Sequence, residues 1–208
     1  MTPIKHFEAV WDRCAELSAL HAYLAANLSG ALHPDELLRA EWVSRVCALD
    51  LYVHELVAQL MIEIFAGRRP TTPAYLRFEV SNETLDRIRA ASTPSDAGAA
   101  FDLEVRNQIS YLTFQDPEKI AEAVRLCSAI ELWNTLASHL GATAATQVIK
   151  AQDLKKNLSL IVKRRNRIAH EGDLQPSPLR EPWPITQADL VFVKDHIEQI
   201  VRAIDAVV

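Results

Sequence analysis

Residues 7–28 read Phe7-Glu-Ala-Val10-Trp-Asp-Arg-Cys14-Ala-Glu-Leu17-Ser-Ala-Leu-His21-Ala-Tyr-Leu24-Ala-Ala-Asn-Leu28. Phe7, Val10, Cys14, Leu17, His21, Leu24 and Leu28 recur at steps of three and four, which is the spacing of one face of an α-helix. The same spacing returns through the rest of the chain, and strand-like alternation appears nowhere over enough residues to support a sheet. The pattern therefore predicts an all-α protein. The five glycines, at 30, 67, 98, 141 and 172, fall between periodic stretches, where helix ends take residues that tolerate positive φ. None of the ten prolines interrupts a helical pattern, and Asp116-Pro117-Glu118 reads as an N-cap, a first-position proline and a first-turn acid.

These marks place helices at 3–29, 34–66, 81–91, 95–113, 117–140, 145–170 and 186–206. A Pro/Thr loop spans 68–76, and a longer loop at 171–185 holds four prolines. The helices at 34–66 and 117–170 have apolar faces too wide to stand alone, so residues 1–208 are read as a single domain. At 208 residues such a chain buries roughly 70% of its unfolded surface, enough to be stable without staples.

A formal charge of −5 excludes a generally basic nucleic-acid coat. Three cysteines, Cys14, Cys47 and Cys127, stand far apart in apolar stretches; they are expected as core thiols in a reducing compartment. Glu8 and Asp12 occupy the place where a secretory signal needs an apolar run, and the most apolar segment, 49–66, is broken by charged residues. A cytoplasmic protein with no membrane association is expected.

Several site chemistries fail on spacing. No acid stands three residues before a histidine, as di-iron bundles require, and there is no His-Glu-x-x-His, Cys-x-x-Cys or phosphate-cradling glycine loop. No metal and no cofactor is expected. Positive charge is instead concentrated: Lys150 to Arg167 holds seven basic residues and one acid, Asp153. Within it Leu154, Leu158, Ile161 and Ile168 form an apolar stripe whose missing position is Arg165. A guanidinium placed where a core residue is due demands a carboxylate, a bound anion or a wet interface. The long helix repeats the anomaly. Val43, Cys47, Val57, Met61 and Ile64 form a stripe interrupted by Asp50 and His54, four apart and so on one face. A link between these two, or from Asp50 to Arg165 across the core, is expected.

The run Ile161-Val-Lys163-Arg164-Arg165-Asn166-Arg167-Ile-Ala-His170, with an acidic, glycine-bearing turn after it and one last helix, resembles the signature of the HEPN superfamily. These are helical proteins whose Arg-x(4–6)-His motif often forms a metal-independent ribonuclease site. Asp116-Pro-Glu-Lys-Ile-Ala-Glu-Ala-Val-Arg125 and Leu132-Trp133 are similar to the segment upstream of the motif in the RiboL-PSP-HEPN branch, and the helix from Ala40 to Leu60 looks like the family's early helix. The likeness is densest over about 100–208; residues 71–100 match nothing in the family.

The resemblance implies a HEPN-like bundle with additional helices, and an endoribonuclease site shared across a homodimer. His170 would take the ribose 2′-hydroxyl proton, with Arg165 stabilising charge on phosphorus and Asn166 orienting the phosphate or imidazole. Lys163, Arg164 and Arg167 would hold the flanking RNA backbone; from the interrupted stripes, and not from the resemblance, Asp50, with His54 beside it, is expected to fix Arg165 from behind. Spacing adds a constraint: five residues apart on one straight helix, side chains 165 and 170 diverge by about 140°. They converge only if the helix ends between them or a second copy contributes. The family also implies a toxin–antitoxin or antiviral defence setting, with an antitoxin or sensor encoded nearby. Two other readings remain: an inactive RNA-binding or dimerisation module of the same fold, and an adaptor bundle whose basic helix docks an acidic protein.

Overall fold

A helix with two apolar stripes needs neighbours on both sides, and the arrangement of the chain follows from that need. The computed structural model describes residues 1–27 and 33–208. In chain order it forms α1 (Pro3–Asn27), α2 (Asp35–Phe65), a 3₁₀ turn at Tyr75–Arg77, α3 (Asn82–Ala90), α4 (Pro94–Ile109), α5 (Pro117–Cys127), α6 (Leu132–His139), α7 (Gln147–Glu171) and α8 (Gln187–Val207). The protein is an all-α bundle; among the described residues the sole β feature is an isolated bridge, Leu174 to Pro182. α2 is the central helix, in contact with α1, α4, α5, α7 and α8, while α3 leans on α4 and α6 covers α7 and α8. One continuous core joins them through fully buried side chains such as Val53 and Val57 of α2, Ile120 of α5, Leu158 of α7 and Ile197 of α8. No helix among the described residues is long and apolar enough to cross a membrane.

The helix starts obey local capping chemistry. The side chains of Ser81, Thr93, Asp116 and Thr186 each accept a first-turn amide, and Asp189 closes a reciprocal capping box at Thr186. Three expectations need correction. The predicted helix 117–140 is two helices, because Ser128 is extended and the Trp133 Nε1–H bond to the Pro117 carbonyl, 3.0 Å, folds α6 back onto the start of α5. The predicted helix 95–113 stops at Ile109, since the Phe114 amide donates to Asp50 Oδ1, 2.5 Å, instead of to a helical carbonyl. Cys14 and Cys127 are core thiols, but Cys47 is exposed. The last residues of the predicted helix 3–29 lie outside the described residues. Tyr52, which the stripes leave aside, is fully buried and donates to Asp205 Oδ1 at 3.3 Å.

Candidate active site

α7 carries the site because one of its faces is core and the other is not. Ala151, Leu154, Leu158 and Ile161 are buried, and Trp42 of α2 donates its indole N–H to the Ile161 carbonyl, 3.0 Å. On the α8 side His196 donates to the Leu154 carbonyl, 3.1 Å, and burial pushes its imidazole below the usual histidine range. Lys156, Lys163, Asn166 and His170 stand exposed on the opposite face. The helix ends at Gly172, whose left-handed φ of 65° lets its own amide and that of Asp173 reach the Arg167 carbonyl. The helix thus runs through Glu171 and past His170. Of the two routes to convergence, an end between Arg165 and His170 is excluded, and one chain alone does not bring the two side chains together.

Arg165 is half-buried against α2. Its Nη1 donates to the Asn166 side-chain oxygen, 3.1 Å, its Nη2 lies 3.9 Å from Cys47 Sγ, and its buried Nε has no partner among the described residues. No carboxylate among them forms an ion pair with it. The other inward arginines differ: Arg45 holds Glu41, and Arg39 and Arg164 share Asp173. The expected brace from Asp50 is not made. Asp50 accepts from the Phe114 amide and, at 3.4 Å, from Gln115, and so fixes the turn that follows α4. His54 lies 3.8 Å from Asp50 with its ring centroid 4.5 Å from that of Phe114, so the two share a face as expected but serve that turn.

Arg164 also departs from its expected role. Its guanidinium turns inward, 5.1 Å from the Trp42 ring centroid, and its Nη2 donates to Asp173 Oδ2, 3.1 Å, and to the Pro184 carbonyl, 2.7 Å. Asp173, with no exposed surface, receives Arg39 Nε on the same oxygen at 3.3 Å. Arg39 Nη2 donates to the Trp183 carbonyl, 2.7 Å, and the Trp183 amide donates to the Asp173 carbonyl, 2.8 Å. The Arg39–Asp173–Arg164 cluster therefore clamps loop 172–185 to the end of α7. Spacing on α7 gives no sign of it, because Arg39 lies 134 residues from Asp173; the one local signal is an aspartate directly after a helix-ending glycine, a residue type that accepts left-handed φ. Arg167 is half-buried, its guanidinium 5.9 Å from the Trp183 ring centroid and its buried Nε without a partner among the described residues.

No protein-family model, curated protein or solved structure matches the chain. The geometry defines an all-α bundle with a helix end that offers an unpaired guanidinium, an exposed imidazole and exposed lysines. Lys163 and His170 share the exposed face, where an anion and a proton acceptor can meet, while Arg165 offers its guanidinium on the side turned to α2.

Proposed function

We propose that the protein is a metal-independent endoribonuclease of the HEPN type, acting at a site completed by a second copy of the chain. The observation that carries this reading is Arg165. It is half-buried, turned toward α2 at Cys47, has no carboxylate among the described residues and is five residues from an exposed histidine; Arg167 is likewise half-buried without a carboxylate, whereas Arg39, Arg45 and Arg164 are paired. A partly desolvated, uncompensated guanidinium is held at a cost that a phosphodiester relieves.

In the proposed reaction His170 removes the ribose 2′-hydroxyl proton and the 2′-oxygen attacks phosphorus. The bond to the 5′-oxygen breaks as that oxygen takes a proton from His170 of the partner subunit. The products are a 2′,3′-cyclic phosphate and a 5′-hydroxyl. Arg165 stabilises the charge that develops on the phosphoryl oxygens, Asn166 orients the phosphate or the imidazole, and Lys163 and Arg167 attract the flanking backbone. Arg164 keeps no RNA contact in this scheme, because its hydrogen bonds are used inside the fold. An antitoxin or sensor partner belongs to the same reading.

The test is incubation of the purified protein with mixed cellular RNA in EDTA, beside His170→Ala and Arg165→Ala variants of confirmed fold. Cleavage by the parent alone, leaving cyclic phosphate ends and falling in specific rate on dilution, is the expected result. Cleavage that survives His170→Ala refutes the reading. Binding without cleavage transfers the site to the alternative reading, an RNA-binding or dimerisation module.

A further inference from the structure

We infer that Trp183 and the cavity beside it form a base-binding subsite for single-stranded RNA, one that takes a nucleobase bearing an exocyclic amine. The inference rests on RNA as the ligand of α7. Trp183 is fixed by its backbone, through its bonds to Asp173 and Arg39, and flanking Pro182 and Pro184 restrict the chain on either side. The residue is nonetheless left 37% exposed, while Trp11, Trp42 and Trp133 are at 6%, 6% and 3%. A rigid loop that presents a large aromatic surface to solvent has the form of a stacking platform, since every base offers a π-face. Arg167 above the ring links that platform to the exposed cationic face of α7.

The adjoining cavity, about 530 Å³, is lined by Trp183 together with Pro34, Asp35, Glu36 and Glu181. That volume is within the range of small-ligand sites and admits one nucleoside. Its charge decides which part of an RNA enters. Three carboxylates line it with the His33 imidazole; His21 stands 3.3 Å from one of them, Asp35, and the single guanidinium, Arg39, is already engaged by Glu36, Asp173 and the Trp183 carbonyl. Phosphate is repelled from such a lining and stays with Lys163 and Arg167. The carboxylates accept N–H groups, so cytosine, adenine or guanine is favoured, while uracil sets two carbonyls against them.

The test uses the full chain carrying His170→Ala, which holds RNA intact, titrated with 12-nucleotide oligocytidine, oligouridine and an abasic phosphodiester of equal length. With the other three tryptophans buried, quenching of the accessible emission reports Trp183. Oligocytidine is expected to quench and to bind about tenfold more tightly than the abasic chain, a modest share of the roughly 5- to 150-fold that aromatic stacking contributes per base. Oligouridine falls between them. Adding Trp183→Ala weakens oligocytidine binding about tenfold, and Trp183→Phe restores it to within about threefold, both checked for an unchanged urea midpoint. Equal oligocytidine binding with and without Trp183, no preference over the abasic chain, or no binding by any oligomer overturns the subsite. The parent protein is assayed for oligocytidine cleavage in EDTA in parallel. Trp183-dependent binding without cleavage removes the ribonuclease reading and leaves the subsite; cleavage indifferent to Trp183 removes the subsite and leaves the ribonuclease.

Discussion

Replacing Asp173 by asparagine isolates the clamp that closes the end of α7. The side chain has no exposed surface and receives two guanidinium donors on one oxygen, Arg39 at 3.3 Å and Arg164 at 3.1 Å. Breaking a buried ion pair by neutralising one partner costs about 3–5 kcal/mol, because the remaining charge is left uncompensated. Here the loss is moderated. Arg39 keeps Glu36 and the Trp183 carbonyl, Arg164 keeps the Pro184 carbonyl, and the asparagine oxygen still accepts one bond. A loss of about 2–4 kcal/mol is therefore expected, a large part of the stability of an ordinary domain. Asparagine tolerates the φ of 55° at this position as aspartate does; alanine adds about 1–2 kcal/mol of left-handed strain. Urea unfolding followed by far-UV circular dichroism reads both effects as shifts in midpoint at constant slope. An Asp173→Asn loss under about 0.5 kcal/mol refutes the argument that the cluster carries charge out of solvent, and equal losses for asparagine and alanine refute the backbone part of it.

Arg165→Ala and His170→Ala are expected to change stability by less than about 1 kcal/mol, since neither breaks an ion pair, while lowering RNA cleavage in EDTA by about 100-fold or more, the scale of a lost proton-transfer group or oxyanion partner. Binding of single-stranded RNA weakens with salt by about 0.7 logarithmic units per decade for each phosphate contact; Lys163→Gln removes about one such contact, whereas Arg164→Gln leaves the salt slope in place and lowers the urea midpoint. His196 gives the fold a pH dependence of known sign. Burial depresses its folded pKa below the unfolded value, so its contribution is fully present above about pH 6.5 and is lost as pH falls through the folded value. The parent loses stability on going from pH 7 to pH 5, and His196→Gln flattens that slope; Lys150, the charge acting on this imidazole, depresses it further.

The parts of the fold legible in the sequence are those fixed by neighbours in the chain. Apolar spacing and capping residues placed seven helices, with starts right to within a residue at Asp116 and Thr186, because a cap is satisfied within three residues of itself. The break between α5 and α6 is hidden for the opposite reason. Val124, Cys127, Ile130, Trp133 and Ala137 follow at steps of three and four and all join the core, so the apolar spacing runs on through a bend that Trp133 imposes by reaching back to Pro117. Periodicity likewise placed Asp50 and His54 on one face but not their partner, a backbone amide 64 residues away. At the site the spacing picked out Arg165 as the anomaly but gave no sign that Arg164 spends its hydrogen bonds on Asp173 and the Pro184 carbonyl. One residue is about 100° of helix turn, and at the last turns of α7 that angle separates the open edge of α2 from Trp42 and Asp173.

This division between two adjacent arginines ties the candidate chemistry to the loop. Arg164 is paired with Asp173, whose own carbonyl holds Trp183, so the residue that follows the helix-ending Gly172 also sets the position of the one exposed indole. Arg165, turned toward the edge of α2, keeps its charge available, and His170, on the far side of the same helix, keeps its imidazole available. Within one chain these two groups point apart by about 140° on an unbroken helix, so no bending of side chains inside the fold joins them. On the proposed reading a second α7 facing the first would supply each arginine with a histidine from across the interface, without any change to the clamp. Any catalysis by this pair therefore depends on association, while folding of loop 172–185 does not, and the two separate experimentally by dilution.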